Sequence, residues 1–143
     1  MDVRRLGADD PDETLAAFLR VQRVAFGENE SRDGVEPGIG FLRRDMRNGR
    51  LRCAMALSGG REVAAAVIVG IGSVAELAGV GTLPEMRRRG AASSVSVALL
   101  EAHFAGSGDF AWLTAGDDAA AGVYTRLGFR HAGAWQVNLE DKR

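Results

Sequence analysis

The chain has 143 residues, 46% of them hydrophobic and 26% charged, with a formal net charge of −1. That length suits one domain, residues 1–143, with enough apolar material for a packed core. The charge balance gives no reason to expect a nucleic-acid partner. No apolar run reaches the length of a membrane span and no signal peptide precedes the first polar residues, so a cytoplasmic protein with no membrane partner is expected. Cys53 is the only cysteine, which excludes an internal disulfide. His103 and His131 lack metal-ligand spacing, so no metal is expected.

In chain order, Val3 to Leu6 reads as a short edge strand. Asp10-Pro11-Asp12-Glu13 reads as a helix start, with Asp10 as cap and Pro11 in the first turn. Leu15, Phe18, Leu19 and Phe26 then form a helical stripe up to Gly27. Glu28 to Gly40 is polar and Gly-rich, contains Pro37, and reads as a loop. Phe41 to Asn48 reads as a second helix, stopped at Gly49. Leu51 to Leu57 reads as a strand, Ser58-Gly59-Gly60 as a hairpin turn and Val63 to Ile71 as a buried central strand. After Gly72-Ser73, Val74 to Leu83 alternates as a further strand, which Pro84 ends.

Beyond Pro84 the pattern changes. Arg87, Arg88 and Arg89 are followed by Gly90 and by the small residues Ala91 and Ala92, with Ser93 and Ser94 behind them. A helical stripe then starts: Ala91, Val95, Ala98 or Leu99, and Ala102. A strand, a tight turn and a helix make an anion cradle, because the first amides of a helix lack intrahelical partners. Gly90 allows close backbone approach, and arginines suit phosphate. A solvated arginine run ahead of a helix is the plain alternative. Gly106-Ser107-Gly108 breaks the chain again. Phe110 to Ala115 reads as a core strand, Asp117 or Asp118 as the cap of a helix to Leu127, and Gly128 as its end. A last strand or hairpin carries Trp135, Val137 and Leu139. The sum is a mixed α+β domain around one sheet.

Two stretches in this order resemble the GNAT N-acyltransferase superfamily. Arg87-x-x-Gly90-x-Ala92 resembles its acyl-CoA pyrophosphate loop, Q/R-x-x-G-x-G/A. Ala120, Tyr124, Gly128 and Phe129 match its late motif, commonly N-x-x-A-x-x-x-Y-x-x-x-G-F. Asp117 stands where the family usually has Asn; Asp keeps the capping role but loses an amide donor. The resemblance covers about residues 50–140. It implies a single GNAT-like domain: a mixed, mostly antiparallel sheet with helices on both faces. The strands ending near Thr82 and Ala115 should splay around the pantetheine arm of acetyl-CoA. Backbone groups of Val80, Gly81 and Thr82 would pair with that arm as with a strand edge. Arg87, Arg88, Arg89, Gly90, Ala91, Ala92 and Ser93 would hold the pyrophosphate, with Asp117 and Tyr124 as further coenzyme contacts. Gly79 and Gly81 make a bulge plausible.

The implied activity is transfer of an acyl group, most simply acetyl, from its CoA thioester directly to a primary amine. An alkyl amine has a pKa near about 10 and needs a base. Glu76 is the candidate, on one strand face with Ala78, Val80 and Thr82 if the alternation is regular; the alternative is a solvated strand-end charge. Tyr124 is the candidate to hydrogen-bond the leaving thiolate; the alternative is a packed tyrosine. Lys142 is the only lysine, so self-acylation has few targets. Glu28, Glu30, Asp33 and Glu36 would attract a cationic acceptor, a small-molecule or peptide amine, or would simply be a solvated acidic loop. A homodimer stays open. The rival function is a non-catalytic acyl-CoA-binding sensor on the same fold. A generic phosphate-binding domain is a third reading.

Overall fold

The computed structural model describes residues 1–27, 36–70 and 72–132. The order is β1 (Asp2–Arg5), α1 (Asp12–Ala25), α2 (Glu36–Arg47), β2 (Leu51–Ser58), β3 (Arg61–Val69), β4 (Val74–Thr82), a 3₁₀ turn (Pro84–Met86), α3 (Ala91–Ala105), β5 (Phe110–Trp112) and α4 (Asp118–Arg126). The described strands form one sheet in the order β1-β2-β3-β4-β5. All pairs are antiparallel except β4 with β5, which is parallel. This is the expected α+β architecture with a mixed, mostly antiparallel sheet.

Strand alternation divides the core between the two faces. Cys53, Met55, Ala65 and Val67 point to α1 and α2 and meet Leu15, Phe18, Val21 and Leu42. Ala54, Ala56, Ala64, Ala66 and Ile68 point the other way, to Ala91, Val95 and Leu99 of α3. Alanines fill much of the sheet surface, so the helices sit close to it. Each fully buried Val or Leu, such as Val95 and Leu99, contributes about 1.5–3 kcal/mol. Burial also pushes the Cys53 thiol up to about 12. A buried thiol held in its neutral form is a poor nucleophile at neutral pH.

Several local expectations shift. Asp10 does not cap α1: its carboxylate accepts from the Gly7 amide at 2.9 Å, and Pro11 occupies the cap position. Phe26 is exposed at the end of α1 rather than part of the buried stripe. The second helix starts at Glu36, not Phe41. Pro37 sits in its first turn, where a missing N–H costs nothing, so a residue read as a loop marker marks a helix start. Gly38 lies inside that helix, where a Cβ would come to 3.0 Å from Leu19, so glycine lets α2 approach α1 closely. The central strand ends at Val69, and β5 spans three residues instead of Phe110 to Ala115. On α3 the buried residues are Ala91, Val95, Ser96, Leu99 and His103, so Leu99 rather than Ala98, and His103 rather than Ala102, complete the stripe.

His103 ties α3 to the sheet. Arg52 Nη2 lies 2.8 Å from its Nδ1, and its Nε2 lies 3.0 Å from the Phe110 carbonyl oxygen. A guanidinium only donates and a carbonyl only accepts, so Nδ1 accepts and the proton sits on Nε2. Gly108 closes over the ring, since a Cβ there would lie 2.5 Å from it. Helix α3, β2 and the start of β5 are thereby fixed to one another.

Candidate active site

Two features of β4 organise the site. The first is a fork. β5 pairs with β4 at Val74–Phe110, Ala75–Ala111 and Glu76–Trp112 and then leaves it. β4 runs on to Thr82 with β3 on its other side. From Leu77 to Thr82, β4 has no paired strand on its β5 side among the described residues. This is the expected splay, and it leaves part of the β4 backbone free to pair with an extended ligand.

The second feature is a bulge. Ala65 faces Gly81 but Val67 faces Ala78, so β4 carries one extra residue at Gly79–Val80. Gly79 has φ +56°, as such a bulge requires. Its carbonyl accepts from Gln22 Nε2 at 3.4 Å. Gly81 must lack a side chain, since a Cβ would come within 2.6 Å of Ala25. The bulge overturns the regular alternation. Ala75 and Leu77 join the α3-side core, which turns Glu76 and Ala78 to the α1 side. Past the bulge, Val80 packs on the α3 side. Glu76 therefore shares a face with Ala78 and not with Val80 or Thr82.

Beyond Thr82 the 3₁₀ turn leads into the arginines. Arg87 donates to the Ala25 carbonyl at 3.3 Å. Arg88 adopts a left-handed backbone with φ +64°. Arg88 and Arg89 are exposed, and neither guanidinium has a hydrogen bond or ion pair among the described residues. Gly90 caps α3 with φ +82° and no side-chain cap bond. The first helical bond runs from Ser94 N–H to the Gly90 carbonyl at 2.9 Å. The amides of Ala91, Ala92 and Ser93 are thus without intrahelical acceptors. The Ala91 side chain is core, so that residue offers only its backbone. An α-helix of 15 residues stands behind these amides, and its dipole favours an anion there.

Asp117 is the cap of α4: its carboxylate accepts from the Ala120 amide at 2.7 Å. One turn further, Tyr124 is half-buried against the α3-side core, edge-on to Phe129 at 6.1 Å between ring centres. Burial raises the phenol above its ordinary value. Its hydroxyl has no hydrogen-bond partner among the described residues. Val80, Ala91 and Tyr124 thus gather around one cluster, whereas Glu76 lies on the other side of the sheet. Glu28, Glu30, Asp33, the Glu36 side chain and the final strand at Trp135, Val137 and Leu139 lie outside the described residues. Among the described residues no three His, Cys, Asp or Glu side chains gather in a metal-holding group, and no helix is long and apolar enough to cross a membrane.

A family model described as FR47-like protein matches residues 58–137, from the β2–β3 turn through the late motif. The chain belongs to the FR47-like family. No curated protein sequence matches this chain. Solved structures match it over almost its whole length. An aminoglycoside acetyltransferase from an uncultured soil metagenomic sample is 20% identical, with a TM-score of 0.80 over 99% of this chain and 98% of that one. A predicted acetyltransferase with acetyl-CoA from Clostridium acetobutylicum is 17% identical, with a TM-score of 0.70 over 97% and 95%. An aminoglycoside N-acetyltransferase in complex with CoA is 17% identical, with a TM-score of 0.69 over 99% and 99%. The FR47-like chain thus has the GNAT acetyltransferase fold.

Proposed function

We propose that this FR47-like protein is an acyl-CoA-dependent N-acyltransferase that transfers acetyl from acetyl-CoA directly to a primary amine. One observation carries the reading: among the described residues, the unpaired β4 edge runs from the Glu76–Trp112 fork towards the amides at the start of α3 that lack intrahelical acceptors. It offers backbone pairing for an extended arm at one end and an anion cradle at the other. Acetyl-CoA has both parts, and structures of the same fold hold CoA and acetyl-CoA.

In this reading Val80, Gly81 and Thr82 present the backbone edge. Ala91, Ala92 and Ser93 amides bind the pyrophosphate, with Arg88 and Arg89 supplying charge. Glu76 takes the proton of the incoming ammonium, directly or through water. The amine nitrogen then forms a bond to the thioester carbonyl carbon, the carbon–sulfur bond breaks, and the second nitrogen proton leaves to water as the neutral amide forms. The electron pair leaves on sulfur, where the Tyr124 hydroxyl donates to the developing thiolate. The base is on the α1 side of the sheet at the fork, and the donor packs on the α3 side. That suits a direct transfer in which the nucleophile enters from one side and the leaving group departs on the other. Asp117 acts as a helix cap only.

Thiol release with acetyl-CoA and a mixed amine panel, followed by mass spectrometry of the amines, tests the proposal. Cys53 is the only cysteine and is buried, and an enzyme-only control sets the background of the thiol reagent. Acetylated amine with matching thiol release is expected. Tight acetyl-CoA binding without release by any amine would make the protein a sensor instead.

A second expectation concerns ionic strength. Acetyl-CoA affinity should fall with added salt, because exposed charge pairs are screened within a Debye length of about 8 Å at physiological strength. The double variant Arg88→Gln/Arg89→Gln should bind more weakly at low salt and show a flatter dependence by calorimetry. An unchanged slope would leave the backbone amides as the sole anchor.

A further inference from the structure

The face of the sheet around Glu76 is apolar. Register places Val69, Glu76 and Trp112 side by side on neighbouring strands, and Val74 and Phe110 side by side two residues earlier. Val74 and Glu76 lie on one face, opposite Ala75 and Leu77 of the α3-side core. Phe110 and Trp112 share that face through the parallel pairing. The four apolar side chains are open: Val69 is 41% exposed, Val74 50%, Phe110 58% and Trp112 45%. α1 packs over the far half of β4, where Gly79 and Gly81 meet Gln22 and Ala25. Two aromatic rings and two valines thus flank the Glu76 carboxylate at the last rung before the strands part.

Exposed large apolar groups clustered around one charge point to a ligand with the same pattern. We propose that the acceptor is a primary amine joined by a short spacer to an aromatic or similarly flat apolar body. The ammonium meets Glu76 and the ring lies on Trp112 and Phe110. Adjacent strands are about 4.8 Å apart and alternate residues about 6.7 Å apart, which fits a spacer of about two carbons. The five residues fit a polyhydroxylated polycation poorly. Only one of them is charged, and hydroxyls pressed against the other four would lose water without gaining partners. The inference rests on the acyl-transfer reading for its chemistry, and binding tests it independently.

The experiment uses the full chain with 2-phenylethylamine, ethanolamine and kanamycin as probes. Calorimetry measures amine binding and thiol release measures transfer, for wild type, Trp112→Ala and Trp112→Phe. 2-Phenylethylamine should be preferred over ethanolamine by about tenfold or more, the scale of apolar discrimination in a pocket. Trp112→Ala should erase most of that preference through KM, with kcat little changed, and Trp112→Phe should restore it. If 2-phenylethylamine binds in this way but no amine is acetylated, the acceptor-site inference holds and the transfer reading falls. If ethanolamine or kanamycin is acetylated as well as 2-phenylethylamine and Trp112→Ala leaves the ratios unchanged, the inference is overturned and transfer stands. Absence of 2-phenylethylamine binding at millimolar concentrations overturns it too.

Discussion

Replacing Tyr124 by Phe should lower turnover by about 10²–10⁴-fold, the usual worth of a positioned proton-donating group, while leaving acetyl-CoA affinity nearly unchanged. The substitution keeps the ring, and with it the packing against the α3-side core and the edge contact to Phe129. It removes only a hydroxyl that has no protein partner to lose among the described residues. An interaction that strengthens as the thiolate develops is felt in kcat and not in ground-state binding. Burial raises the phenol, so the proton stays in place through the neutral and mildly alkaline range. The deficit of Tyr124→Phe should therefore be the same at every pH in that range. Glu76→Gln should behave differently. Its loss should be greatest at low pH and shrink as pH rises towards about 10, where solvent already deprotonates an alkyl amine. Steady-state pH–rate profiles of the two variants separate the roles. Wild-type turnover by Tyr124→Phe would make the residue a packing element. A pH-independent deficit in Glu76→Gln would move the base elsewhere.

Gly90→Asp should abolish measurable acetyl-CoA binding, a loss of at least about 100-fold, or roughly 3 kcal/mol. The variant should fold. A Cβ at Gly90 meets nothing within 4 Å, and Asp tolerates a left-handed backbone better than most residues. A carboxylate there would also cap the free amides of α3 itself, competing for the donors that the pyrophosphate needs while repelling its charge. Gly90→Asn offers nearly the same shape and capping without the charge, and should lose much less affinity. Calorimetry with circular dichroism as the folding control checks both variants. Equal binding by wild type and Gly90→Asp would remove this helix end from the coenzyme site.

These two experiments draw on features of different legibility. Signals carried by consecutive residues were readable along the chain. Gly59-Gly60 turn the β2–β3 hairpin with φ +58° and +82°. Gly90 starts α3, Asp117 caps α4 and Gly128 follows its end. Caps, turns and the hydrophobic period depend on a few neighbouring dihedrals, so the sequence holds nearly all the information they need. The two GNAT motifs were legible for the same reason, since each is one turn and the helix attached to it.

Position across the sheet was not legible. The glycines hinted at a bulge in β4, but only pairing with β3 showed that it turns Val80 away from the face of Glu76. Trp112 and Phe110 looked like core residues, and they lie open where α1 packs over the other half of β4. His103 looked unremarkable until Arg52, fifty-one positions away in sequence, was seen against its ring. The sequence by itself determined the element types, the anion-cradle turn and the family likeness, because local steric and hydrogen-bonding rules decide them. Tertiary structure alone decided the faces, the fork and the apolar frame around Glu76. A one-residue shift in pairing reverses every side chain beyond it, and no local pattern records which partner residue it will meet.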